Sequence, residues 1–349
     1  MRVAITGMSR GENPQPGAGI VAGIRAAYPQ AFIVGLSYDA LESGIYVTGG
    51  PDAVFTMPYP TVGAEAFLRR LDEARAAAPF DLFIPTLDAE LDLIVNLQTE
   101  LHERGIRTCL PSKVAFQRRM KHRLADLADA ANIATPKTRA VYSVAEAQSE
   151  AAGMSLPLMV KGAYYDAQQV DSIDNLRDTA ASLLSQWGAP VLLQEIITGP
   201  EFDAMGIGDG EGGITGLCCI RKTIVNKAGK GQGGATINDP ALTELCRRLI
   251  RELKWKGPFE IEVIKDETTG QHSLIEMNPR FPAWVDFPAQ FGTNFAAALV
   301  PFAATGTAPP PMPDPEPGWF FLRHQVEVLG RMEQLAALSG SGEWLDHPH

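Results

Sequence analysis

The stretch Leu274-Ile275-Glu276-Met277-Asn278-Pro279-Arg280 decides how the rest of the chain is read. Two apolar residues lead into a carboxylate, a carboxamide and a guanidinium. Residues two apart on a strand share a face, so Glu276 and Asn278 project together. One anionic and one neutral oxygen on a common face suit a hard cation such as Mg²⁺, which prefers oxygen and keeps several waters. Pro279 ends the ladder, and Arg280 follows where a phosphate could be met by a planar guanidinium. A metal beside an arginine points to phosphoryl chemistry.

Upstream, other charged residues fall in a regular order. Lys121 lies on an expected helix, and Lys161 ends the apolar strand Leu158-Met159-Val160. Gln194 and Glu195 lie on a strand that runs from Val191 to Ile197 and leads into Gly199-Pro200-Glu201. Two further strands, Glu201 to Gly208 and Gly213 to Arg221, are joined by the turn Asp209-Gly210-Glu211-Gly212 and continue into Lys222. A hairpin around Glu267-Thr268-Thr269-Gly270 sets Glu262 on one strand and Glu276 and Asn278 on the other. Glu260 shares a face with Glu262 and is the alternative carboxylate. Between Thr223 and Thr236 stand four glycines and two lysines, Lys227 and Lys230, which read as a mobile basic loop.

The first 110 residues alternate strand and helix signals: Val3 to Gly7, a helix over Ala18–Ala27, Phe32 to Leu36, a helix over Ala64–Ala77, and Leu82 to Pro85. Such βα repetition implies a parallel, Rossmann-like sheet. Gly7, Gly17 and Gly19 do not match GxGxxG, which weakens a dinucleotide reading. Gln117 to Ala131 reads as a helix, followed by Thr135-Pro136 as a breaker. Helices are expected over 172–187, 240–253 and 293–304. Pro309-Pro310-Pro311 opens a linker. The tail beyond it carries a strand near Trp319 to Leu322 and a helix near Arg331 to Leu338. Arg323 and His324 read as surface or packing residues, and Tyr164 and Tyr165 as packing residues.

Composition sets wider bounds. With 349 residues, 45% hydrophobic and 20% charged, the chain can build two or three modest domains. A net charge of −11 argues against a nucleic-acid partner. No apolar run approaches a membrane span, and the N-terminus lacks a signal-peptide core, so a cytoplasmic protein is expected. Four cysteines without CxxC spacing read as reduced, mostly buried thiols.

The order of these residues resembles the ATP-grasp superfamily, in the manner of the synthetase unit of the carbamoyl phosphate synthetase large subunit and other carboxylate–amine ligases. The resemblance covers about residues 1–306. It is most specific at Ile275 to Arg280, intermediate at Gln194 to Glu201, and weak for any single lysine. It implies an α/β and α+β architecture: an N-terminal Rossmann-like domain over 1–110, then a two-subdomain ATP-grasp fold over 111–306 with a lid at about 136–196. A proline-rich linker and tail occupy 307–349.

The resemblance also implies roles. Lys121 and Lys161 would meet the phosphates of ATP, while Gln194, Glu195 and Ile197 would form the adenine hinge. Glu201 would bind the ribose, and Arg221 and Lys222 phosphate or substrate. Glu262, Glu276 and Asn278 would hold Mg²⁺, with Mn²⁺ as a substitute. Arg280 would stabilise the phosphoryl group in transit. The implied activity joins a small-molecule carboxylate to an amine, or modifies a peptide, through an acyl phosphate with release of ADP and phosphate. Homodimers occur among such ligases. The sequence departs from the family at 162–167, where a single glycine stands in place of a glycine-rich flap. A cover from Gly229 to Gly234 is the alternative. The rival readings are a non-catalytic ATP-binding regulatory module and a dinucleotide-dependent oxidoreductase.

Overall fold

The computed structural model describes residues 1–11, 13–162, 166–225 and 231–345. The N-terminal unit opens with β1 (Arg2–Thr6), β2 (Phe32–Ser37), β3 (Ala53–Thr56) and β4 (Leu82–Ile84), all parallel in the order β3-β2-β1-β4. These strands are buried on both faces, which explains their unbroken apolar runs. β3, a four-residue strand set between Pro51 and Pro58, is not among the strands expected from the sequence. The glycines around β1 have a packing purpose. A Cβ on Gly17 would fall 2.2 Å from the Thr6 carbonyl, so glycine lets the helix Gly17–Ala27 begin directly against the end of β1.

Residues 138–195 form a second unit. β5 (Thr138–Val141), β6 (Leu158–Lys161), β7 (Ala167–Val170) and β8 (Val191–Glu195) make an antiparallel sheet in the order β5-β8-β6-β7. The helices Val144–Ala151 and Ile173–Trp187 start at the serine caps Ser143 and Ser172. They cover the sheet with a core that includes Val141, Val160, Leu176, Leu183 and Leu193.

The third sheet carries the site. β9 (Glu201–Asp209), β10 (Ile214–Val225), β11 (Gly231–Thr236), β12 (Lys256–Lys265) and β13 (His272–Asn278) are antiparallel neighbours in the order β13-β12-β9-β10-β11. On its back face lies the helix Pro240–Leu253. Asp239 caps this helix by accepting from the N–H groups of Ala241 and Leu242, and its buried stripe runs Leu242, Leu245, Cys246, Leu249, Ile250 and Leu253. On the front face, Met205, Ile207, Cys218 and Ile220 join Phe295, Leu299 and Phe302 and the N-terminal unit in one core. The helix Phe295–Thr305 meets the helix Gly17–Ala27 closely because Gly23 presents no side chain: a Cβ there would lie 2.9 Å from Ala296.

Two segments differ from the sequence expectation. Residues 117–131 are not one helix. A helix over Lys113–Arg118, a single tight turn over Lys121–Arg123 and a helix over Leu124–Ala130 replace it. Met120 is extended at ψ 141°, which ends the first helix and frees Lys121 to turn toward the sheet. Gly231 to Thr236, expected as mobile loop, is a strand. Its glycines carry no side-chain pattern, and tertiary pairing to β10 supplies the order. Lys227, Gly229 and Lys230, with Tyr164 and Tyr165, lie outside the described residues.

The segment beyond Pro311 returns to the body. β14 (Phe320–Leu322) pairs with β11, and β15 (Glu343–Leu345) pairs antiparallel with β3. Arg70 donates to the Gly342 carbonyl at 2.6 Å, and Leu338 is buried in the core shared with the N-terminal unit. Leu338→Ala is therefore expected to cost about 2–4 kcal/mol in a denaturant melt; an unchanged midpoint would mean that the tail does not dock.

Candidate functional site

Strand register gathers the charged residues. Glu262 lies opposite Asp203 on one side and Glu276 on the other, while Glu260 lies opposite Asn278. Ile220 faces Asp203, so Lys222, two residues on, stands at the level of Glu201. One end of the front face therefore carries Glu201, Asp203, Lys222, Glu260, Glu262, Glu276 and Asn278, and the other end is apolar.

Lys222 is the centre of this group. Its Nζ lies 2.8 Å from Glu262, 3.1 Å from Asp203 and 3.2 Å from Glu201, and its side chain is 5% exposed. The flanking carboxylates outweigh the cost of desolvation and hold the ammonium firmly charged, above the usual lysine range. Burial and mutual repulsion push the carboxyls of Asp203 and Glu260 upward. Asn278 donates from Nδ2 to Glu260 at 2.9 Å and to Glu262 at 3.1 Å. Ligand oxygens of Asp203, Glu260 and Glu262 all lie within 4.8 Å of one another. A compact set of hard oxygen donors with surplus negative charge fits a divalent cation of the Mg²⁺ type.

Arg280 closes the group on the N-terminal side. It donates through Nε and Nη2 to Asp88 at 3.0 and 2.8 Å, and through Nη1 to Glu260 at 3.1 Å. Asp88 begins the helix Asp88–Asn96 just beyond β4. Its turn is fixed by the buried Glu90, which accepts from the N–H groups of Thr86 and Leu87 and from the hydroxyls of Thr6 and Tyr38.

These residues border a cavity of about 280 Å³. Asp203, Lys222, Glu260, Glu262 and Arg280 line one side, Gln15, Thr86 and Leu87 a second, and Trp284 and Arg323 a third. The Nε of Arg323 and the Nε1 of Trp284 are buried there and meet no hydrogen-bond partner among the described residues. Arg323, expected as a surface or packing residue, is thus a cationic wall of the cavity. Its place follows from β14, where Phe321 and Arg323 alternate onto the inner face.

A second, narrow cleft of about 10 Å³ lies between the β5-β8-β6-β7 sheet and the body, lined by Lys121, Lys161, Gln194, Thr138 and Ile275. Lys121 reaches Glu276 at 3.6 Å. Burial lowers the Lys161 ammonium, while Glu276 opposes that shift and Lys121 adds to it. Gln194 donates to Thr138, and Glu195 pairs with Lys137 at 3.6 Å on the adjoining edge. Ile197 lies half-buried just beyond β8.

The structure thus brings Lys121, Lys161, Gln194 and Glu276 to one cleft, and Glu201, Lys222, Glu262, Asn278 and Arg280 to the neighbouring sheet end. Arg221 does not join them. It is exposed on the opposite face, level with Phe202. Lys222 faces inward but is engaged by carboxylates rather than open to a phosphate. Sequence reading missed Asp203, Asp88 and Arg323. The alternation Glu201-Phe202-Asp203 was the available signal for the first. All four cysteines are free and buried, and burial pushes Cys109 up to about 12.

No family model and no curated protein matches the chain in sequence. Solved structures match in fold. An L-amino acid ligase from Bacillus licheniformis is 15% identical with a TM-score of 0.68, over 87% of this chain and 74% of that one. A biotin carboxylase from Campylobacter jejuni, solved as a complex with β-γ-ATP, is 15% identical with a TM-score of 0.69, over 88% and 72%. An N5-carboxyaminoimidazole ribonucleotide synthetase from Thermotoga maritima is 13% identical with a TM-score of 0.63, over 90% and 78%. The chain has the ATP-grasp fold. Among the described residues no helix is long and apolar enough to cross a membrane.

Carboxyls raised in the fold contribute stability that is full below their unfolded pKa, near 4, and lost as pH climbs through the folded value. Asp203 and Glu260 have this sign, and Lys222 offsets it. Lys222→Met should destabilise the metal-free protein by about 3–5 kcal/mol at pH 8 and by less at pH 5, read from urea melts. A penalty independent of pH would contradict this charge balance.

Proposed function

We propose that the chain is an ATP-dependent carboxylate–amine ligase working through an acyl phosphate. The observation that carries this reading is the juxtaposition of two cationic groups. Lys121 and Lys161 share the lid cleft, and Arg280 and Arg323 line the adjacent cavity, with the acidic sheet end between them. A polyphosphate lying along the lysines would place its terminal phosphoryl group at the sheet end, and a carboxylate held by the arginines would meet it there.

In this reading Gln194, Glu195 and Ile197 receive the adenine, and Glu201 the ribose hydroxyls. Glu262, Glu276 and Asn278 hold Mg²⁺, and Asp203 and Glu260 add negative charge behind them. The metal, when bound, neutralises phosphate charge. A substrate carboxylate oxygen attacks the γ-phosphorus and ADP departs. Arg280 stabilises the acyl phosphate, and an amine then displaces phosphate to leave an amide. Small-molecule carboxylates and amines fit a cavity of this size. The lid cleft is too narrow for a nucleotide, so the lid must swing from the body to admit one.

Incubation with Mg·ATP and pools of amino acids and small acids should release ADP and phosphate in step with amide product, and Glu276→Gln should lower turnover at least 100-fold while retaining the far-ultraviolet circular dichroism of the parent. Release of AMP and pyrophosphate would overturn the scheme. ATP binding without turnover in any pool would favour a regulatory module.

A further inference from the structure

We propose that β14 is the contact strand of a two-fold symmetric dimer, pairing edge to edge with the same strand of a second copy. β14 is the outermost strand of its sheet. The Arg323 N–H donates to Gln232, and the Trp319 carbonyl accepts from Thr236, so alternate residues 319, 321 and 323 face β11. The backbone groups of Phe320 and Leu322 consequently point outward, away from the sheet. An outer strand with open groups is a template for another strand unless charge or proline blunts it. Phe320 to Leu322 carries neither, and Gly318 to Val326 contains no carboxylate, in a chain whose net charge is −11. Two copies can therefore approach at this strand without opposing like acidic charges.

The side chains around the edge are apolar and, among the described residues, open to solvent. Phe320 is 67% exposed and Leu322 57%, and Trp319, Val326, Leu329 and Met332 are exposed as well. Ile224 and Val225 on β10 extend the apolar surface, since Ile224, Gly233 and Leu322 stand side by side across three strands. Trp319 stacks on Phe291 at the inner face; an aromatic side chain offers about 150–250 Å² and an aliphatic one somewhat less, so Phe320, Leu322, Val326, Leu329 and Met332 present on the order of 600 Å². A specific interface of ordinary size buries about 800 Å² per partner.

An antiparallel strand can pair with its own copy about a two-fold axis, here through Phe321, with Phe320 of one chain opposite Leu322 of the other. The contact is isologous and closed, so it stops at two chains. The surface fits a second copy in area, in charge and in symmetry. It also lies beside the cavity, because the residue after Leu322 is Arg323.

Sedimentation equilibrium or light scattering of the full chain at micromolar concentration is expected to give twice the chain mass of 37.6 kDa. Leu322→Glu should shift it to the single-chain mass. Phe320→Pro should do the same while keeping the monomer's circular dichroism, because the lost N–H faces outward and takes no part in the pairing with β11. A wild-type monomer up to 100 µM would overturn the proposal, and so would a dimer that survives both substitutions in folded protein. Neither result bears on the ligase reading, which product analysis decides separately.

Discussion

The ammonium group of Lys222 balances the charge on the front face of the central sheet. It touches Glu201, Asp203 and Glu262 within 3.2 Å while nearly withdrawn from water. Five carboxylates at one sheet end would otherwise repel one another in a poorly solvated place, and each buried one would cost several kcal/mol to keep ionised. With Lys222 in their midst the strands β9, β10 and β12 can align their acidic residues in register. The same arrangement leaves surplus negative charge toward the cavity, which is where a divalent cation is useful. Lys222 thus sets the spacing of the site without occupying its open side.

Arg280 is the second fixed point. Its contacts to Asp88 and Glu260 join the N-terminal unit to the sheet, and Glu90 locks the turn from which Asp88 projects. The N-terminal unit therefore shapes one wall of the cavity rather than standing beside it. The tail does the same from the other side. β15 fastens its end to β3, and β14 sets Arg323 against the cavity. The N-terminal unit, the central sheet and the tail thus border the cavity from three directions.

Much of this was legible in the sequence where a strong local pattern met a chemical one. Glu276, Asn278 and Arg280 announced themselves by alternation at the end of an apolar strand. The βα repetition of the first 110 residues named the parallel sheet, and a helix over 240–253 was expected where the structure has it. Other parts were hidden for physical reasons. Gly231 to Thr236 has no side-chain period, so only its partners reveal a strand. The break at Met120 is a backbone turn within a helix-favouring composition. Asp88 and Arg323 matter because tertiary packing brings distant segments together, and neither neighbouring sequence shows it. Lys222 follows the expected strand that ends at Arg221, and only the register of the longer β10 shows that carboxylates surround it and that Arg221 faces away.

The central claim is that a carboxylate takes the terminal phosphoryl group of ATP at this sheet end. Transfer of an oxygen label tests it most directly. With substrates carrying ¹⁸O in the carboxylate, the released phosphate should gain one ¹⁸O for each turnover, seen as an isotope shift in the ³¹P spectrum. Phosphate without ¹⁸O, its fourth oxygen taken from water, would contradict the account.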